Sequence, residues 1–184
     1  EQKMKKKISS LTYSNLTVPG KLFVKEFPTS QASALDVERY LRKVEEQNSI
    51  KFKVVVIDYI NIMKNWRNPN SENTYMKIKQ LAEDIRGVAM SNGWAILTAT
   101  QTKQSDFDST DLSISSAAES SGLVATVDGL FGIIQDPIMY ANKEYKLKLV
   151  ANRDDGYKNA YKMFNVDYTY MRINENVVPM HTEG

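Results

Sequence analysis

An α/β fold is predicted, with a mostly parallel central sheet flanked by helices and extended at one edge by antiparallel strands. Three observations carry that reading. Lys53–Ile57 and Trp94–Ala99 are apolar runs with little polar alternation, the pattern of parallel strands buried on both faces. Between them Ile78, Leu81, Ala82, Ile85, Val88 and Ala89 recur at helical spacing, which makes a strand–helix–strand unit. Beyond Asp128 the helical period disappears and three strand-like segments follow one another, as hairpin strands do.

Taken in order, Lys21–Phe27 reads as a short strand stopped by Pro28, and Thr29 or Ser30 offers an N-cap to the helix that follows. Ala34, Val37, Leu41 and Val44 form the apolar stripe of that helix over Gln31–Gln47. Lys53–Ile57 ends at Asp58, and a polar loop spans Asn65–Asn73. The long helix after it takes Ser71 or Asn73 as its cap and stops at Asn92-Gly93. Trp94–Ala99 then runs into the polar segment Thr100–Gln104, followed by a Ser- and Asp-rich loop over Ser105–Ser121. Leu130–Gln135, Tyr145–Val150 and Ala160–Val166 are the late strands, the last two joined by the turn Asp154-Asp155-Gly156. No internal repeat or long linker interrupts the chain.

Composition narrows the chemistry. With 184 residues, 42% hydrophobic and 25% charged, the chain is sized for a single core and is read as one domain, 1–184. It has no cysteine and one histidine, His181, so disulfides, zinc–thiolate sites and cysteine nucleophiles are excluded and carboxylates, amides, hydroxyls or cations must carry any reaction. Twenty-four basic against 22 acidic residues leave a net charge of +2, so any contact with nucleic acid has to be local. The basic run Lys3–Lys7 is read as a solvated helix face or frayed end. No apolar run reaches membrane-span length and no signal peptide is present, so no membrane partner is expected and an intracellular, cytoplasmic location is. The opening Glu1-Gln2, without an initiator methionine, suggests an internal start from a longer product.

In open α/β sheets ligands bind beyond the carboxyl ends of the strands. Asp58 ends a β-branched strand, the position from which a carboxylate holds the Mg²⁺ of a nucleoside triphosphate; a turn former or helix cap is the plainer alternative. Gln101 closes the neighbouring strand, where an amide can bond a terminal phosphate or orient water, or can be an ordinary loop residue. Arg153 follows a strand and precedes a turn, so its guanidinium either reaches a neighbouring subunit's phosphate or is simply solvated. The phosphate cradle G-x-x-x-x-G-K-[ST] is missing: after Gly20-Lys21 comes Leu22, and Asn15 stands in the first glycine's place.

Five blocks resemble successive motifs of DnaB-type hexameric replicative helicases, and within them the branch of T-even-like phages. They are Gly20–Thr29, Val54–Met63, Ser71–Tyr75, Thr98–Gln101 and Ala118–Leu123. The resemblance implies the C-terminal part of a RecA-like ATPase core, with residues 1–20 a remnant of an upstream helix and linker and 21–184 its sheet and helices. It implies ATP and Mg²⁺ as cofactors, Asp58 as the Walker B acid on the metal and Gln101 as the sensor of the terminal phosphate. Arg153 becomes an arginine finger acting in trans within a homo-hexamer. Ala151 stands where the family carries a basic residue, so the second cation is sought at Lys148 or Lys158. DNA-binding loops map to parts of Asn65–Asn73 and Gln104–Ser121, with Arg67, Lys103 and Ser121 as contacts to single-stranded DNA.

The same resemblance puts the phosphate cradle and the catalytic glutamate upstream of residue 1, so that the chain alone hydrolyses no ATP and leaves apolar sheet surface open to self-association. The parent activity it implies is translocation on single-stranded DNA and unwinding at a replication fork, with primase and a helicase loader as partners and, for a phage gene, the bacterial cytoplasm as location. Two other readings stand beside it. One is a RecA-type strand-exchange protein, whose distinguishing DNA loop is absent here; the other is a non-enzymatic interaction module with a dead nucleotide site.

Overall fold

Helix α1 (Ala34–Asn48) starts where two neighbours cap each other: the Ser33 hydroxyl accepts from the Asp36 N–H at 3.3 Å and the Asp36 carboxylate accepts from the Ser33 N–H at 3.0 Å. This reciprocal pair, and not Thr29 or Ser30, sets the start, three residues later than the expected Gln31. The helix stops at Ser49, in the left-handed region at φ 50°. The computed structural model describes residues 20–69, 73–101, 121–153, 160–175 and 181–182.

Lys21–Phe27 is extended but pairs with no strand among the described residues. Its side chains anchor it instead. Phe23 meets the ring of Phe52 edge-on at 5.5 Å, and Phe27 meets Tyr40 of α1 at 5.8 Å. The apolar content read as strand is therefore ring packing.

Strands β1 (Val54–Ile57) and β2 (Ala95–Thr98) pair in parallel, Val54 opposite Ala95 through Ile57 opposite Thr98. Helix α2 (Thr74–Asn92) makes the crossover between them. The Asn73 side chain caps it by accepting from the Met76 N–H at 3.1 Å, and Gly93 ends it at φ 67°, where a side chain would be strained. Ile78, Leu81, Ala82, Ile85 and Val88 of α2 bury against Val55, Ile60, Met63 and Trp94, and Ala34 from α1 joins the same cluster. Among the described residues only one face of the pair is covered. Val54, Leu97 and Val56, the last 73% exposed, lie on the other, so the apolar run reflects one packed face and one open one.

The remaining strands form a separate antiparallel sheet in the order β3 (Gly129–Ile134), β4 (Glu144–Asn152), β5 (Ala160–Asp167), β6 (Arg172–Glu175), with β7 (His181–Thr182) also on β5. β2 and β3 are not hydrogen-bonded to each other, which leaves two sheets among the described residues. A four-residue helix, α3 (Ser121–Val124), leads into β3. A short α4 (Pro137–Ala141), capped by Asp136, links β3 to β4. The sequence reading missed α4, although Asp136-Pro137 is a cap followed by a first-turn proline. Along β4 the lysines lie on the covered face: Lys146 places its ammonium 4.3 Å from the Tyr161 ring and Lys148 is only 2% exposed. The turn at Asp154-Asp155-Gly156 lies outside the described residues.

Candidate nucleotide site at the strand ends

Because Ile57 and Thr98 are register partners, the chain leaves both strands on the same edge, and Asp58 and the segment 99–101 emerge side by side. Three hydrogen bonds lock the two exits together. The Thr98 hydroxyl donates to the Ile57 carbonyl at 2.9 Å, the Ile60 N–H to the Ala99 carbonyl at 3.2 Å, and the Thr100 hydroxyl to the Asn61 side chain at 3.0 Å. A 3₁₀ turn at Ile60–Ile62, anchored by buried Ile60, carries the chain away behind Asp58. The threonines of the Thr-Ala-Thr-Gln segment thus spend their hydroxyls on the scaffold. Asp58 and Gln101 are exposed, and neither side chain has a hydrogen-bond or ionic partner among the described residues.

An exposed, uncommitted carboxylate suits Mg²⁺, which takes one or two carboxylates and completes its shell with water and phosphate oxygens. No group of three metal-binding side chains occurs among the described residues. An amide on the same strand edge can donate to a phosphate oxygen and accept from water. The residues present fit one half of a Mg²⁺–triphosphate site. The other half, a backbone phosphate cradle, is not offered at Gly20-Lys21: no helix follows it, and an added Cβ on Gly20 meets nothing within 4 Å.

Arg153 lies apart from this pair in the network it makes. Its guanidinium donates to the carbonyls of Ala125 and Thr126 at 3.1 and 3.3 Å, and lies 3.5 Å from the Asp128 carboxylate. Arg86 of α2 converges on the same turn, donating to the Thr126 carbonyl at 2.9 Å and to Asp128 at 2.7 Å. Sequence reading missed Arg86 and Asp128, since 42 residues separate them and neither stands in a motif.

Of the DNA candidates, Arg67 pairs with Glu83 at 3.3 Å and Asp84 at 2.5 Å on α2, so two carboxylates answer its charge. Lys103 lies outside the described residues, as does Lys158; Ser121 opens α3. Lys148, considered as a second cation, is buried on the covered face of β4.

No family model matches the chain. A DnaB-like replicative helicase of Enterobacteria phage T4 is 32% identical over 146 residues, which are 79% of this chain and 30% of that protein. Solved structures share the fold. A DnaB-like replicative helicase, studied with its interactions with primase, superposes with a TM-score of 0.66 at 16% identity, covering 78% of this chain and 35% of that one. A solved ATPase domain superposes with a TM-score of 0.67 at 15% identity, covering 79% of this chain and 52% of that one. The chain therefore spans about a third to a half of the proteins it matches.

Proposed function

We propose that this homologue of DnaB-like replicative helicases is part of an ATP-driven helicase motor, in which Asp58 holds the Mg²⁺ of bound ATP and Gln101 contacts its terminal phosphate. The observation that carries the reading is the shared strand edge from which these two residues follow. They leave adjacent parallel strands on one edge, fixed by hydrogen bonds between the exits, while their own polar atoms stay uncommitted among the described residues. The metal's contribution would be to neutralise charge on the phosphates; the chain's is to hold two polar groups rigidly side by side.

In this reading β1 and β2 belong to a wider, mostly parallel sheet, and a phosphate cradle and a water-activating carboxylate come from parts of the protein outside this chain. The chain by itself hydrolyses no ATP. The motor is a homo-hexamer, a ring in which each subunit reaches its neighbour's nucleotide, and Arg153 is the group that reaches. Coupled hydrolysis moves the ring along single-stranded DNA at a replication fork, gripping backbone phosphates through Lys103, Ser121 and Arg67, the last only after it releases its carboxylates. Primase and a loader are the protein partners this role requires, in the cytoplasm of the host cell.

Substitution of Gln101 by alanine in the full-length protein tests the reading. Folding and ATP binding should persist while DNA-stimulated hydrolysis falls by roughly a hundredfold or more. Unchanged turnover would remove Gln101 from the phosphate site.

A further inference from the structure

Where two guanidinium groups meet on one carboxylate, the cluster keeps a net charge of +1 and a surplus of N–H donors. Arg86 and Arg153 do this at Asp128. They come from α2 and the end of β4, and both aim at Asp128 Oδ1, at 2.7 and 3.5 Å. Backbone carbonyls fix the rest: Thr126 accepts from both arginines and Ala125 from Arg153. The turn supplying them is itself held, since the Thr126 and Val127 N–H groups both donate to the Leu123 carbonyl at 2.8 Å and Leu123 is buried in the core. The Arg153 N–H also donates to the Asp128 carbonyl at 2.9 Å, locking the strand end to the turn.

This is more order than a solvated arginine needs. Yet the cluster is not closed. Arg86, Arg153 and Asp128 side chains are 30%, 41% and 69% exposed. Arg86 spends only one of its amino groups, and the Nε of each arginine has no acceptor among the described residues. Rigid, exposed, paired guanidiniums with unspent donors match the geometry of phosphate oxygens.

We infer that Arg86 is the second cation of the trans phosphate site, held beside Arg153 by Asp128, and that the pair meets the terminal phosphate of a nucleoside triphosphate bound by the adjoining subunit. The inference deepens the proposed function and rests on its assignment of Arg153. Ala151, one residue from the end of β4, carries no charge, and Lys148 points into the covered face. Arg86 is the cation the fold brings to Arg153, from a helix 67 residues earlier in the chain.

The test uses the full-length ring and three variants read side by side for turnover, KM for ATP and melting temperature. Arg86→Gln keeps a donor for the Thr126 carbonyl but removes the charge; Arg86→Lys keeps the charge; Arg153→Ala controls for the underlying reading. The expected result is a fall in kcat of roughly a hundredfold for Arg86→Gln with KM moved less than about threefold, and substantial recovery in Arg86→Lys. Wild-type rings doped with Arg86→Gln subunits should lose activity out of proportion to the variant fraction. Equal losses in the Gln and Lys variants, or a loss strictly proportional to doping, overturn the inference and leave Arg86 a structural tie between α2 and the β3 turn. If Arg86→Gln does not assemble, Arg86→Lys/Asp128→Asn replaces it: full turnover there, with the carboxylate that aligns the pair neutralised, is the overturning result. Normal turnover in Arg153→Ala would instead sink the trans-arginine reading itself, which separates the two failures.

Discussion

Glu45 is a buried carboxylate that earns its place through three donors. Its oxygens accept from the Phe52 N–H at 2.8 Å, the Lys51 ammonium at 3.1 Å and the Trp94 indole at 3.2 Å, joining α1 to the segments that lead into β1 and β2. Burial alone would raise its pKa; the Phe52 amide, the Lys51 ammonium and the Trp94 N–H outweigh burial and hold it below the ordinary 4.5. Asp36 is likewise lowered, first by the Ser33 hydroxyl, and Glu38 by the Asn92 amide. A folded pKa below the unfolded one means stability that is complete above the unfolded value and lost as pH falls through the folded one. Glu45→Gln should therefore lower the melting temperature at neutral pH and flatten the loss below about pH 4.5, which thermal unfolding across pH measures. An unchanged acid limb would show that Glu45 contributes nothing to it. None of this was legible in the sequence, because the Trp94 partner lies 49 residues away and Glu45 sits at an ordinary polar position of a helix. That Asp58 and Gln101 follow strand ends was legible for the opposite reason: a polar segment after an apolar strand is a local pattern.

Helix α2 is the element that sets the site. It spans the crossover between β1 and β2, so its burial fixes the parallel register that brings Asp58 and the segment 99–101 out on one edge. Leu81, fully buried in the middle of its stripe, is the residue to remove: Leu81→Ala should cost about 3 kcal/mol. Asn73→Ala, which deletes only the cap bond to the Met76 N–H, should cost about 1 kcal/mol. Chemical denaturation measures both, and a Leu81→Ala cost no larger than that of the cap would place the core elsewhere. The stripe and the end of α2 were readable, since a 3.6-residue period and Gly93 agree; the sequence offers both Ser71 and Asn73 for its start, and Asn73 takes it. The start of α1 was not readable, because Thr29 and Ser30 are cap residue types as much as Ser33 is, and only the Ser33–Asp36 pair satisfies the first amides. Lys21–Phe27 misled for a related reason: Leu22, Phe23, Val24 and Phe27 look the same whether their backbone joins a sheet or only the two rings find partners.

At the scale of the molecule, the two sheets leave apolar surface uncovered among the described residues. Val54, Val56 and Leu97 are exposed on the parallel pair, and Phe131, Ile133 and Ile173 on the antiparallel sheet. The isolated chain should self-associate, and Val56→Lys with Leu97→Lys should shift it toward monomer in sedimentation velocity; a monomeric unmodified chain would mean those faces are covered in solution. Sequence patterning located both sheets but could not show that they stay separate, since strand order is not written in hydropathy. The proposed motor is a property of a whole ring, and in that proposal its chemistry turns on one carboxylate, Asp58. The most direct measurement is ATP hydrolysis against Mg²⁺ concentration for full-length wild type and Asp58→Asn, with single-stranded DNA present. Asp58 as the metal's carboxylate calls for a fall in kcat of roughly a hundredfold or more and a rightward shift in the Mg²⁺ dependence, with the melting temperature nearly unchanged. Wild-type turnover and an unshifted Mg²⁺ curve would contradict it.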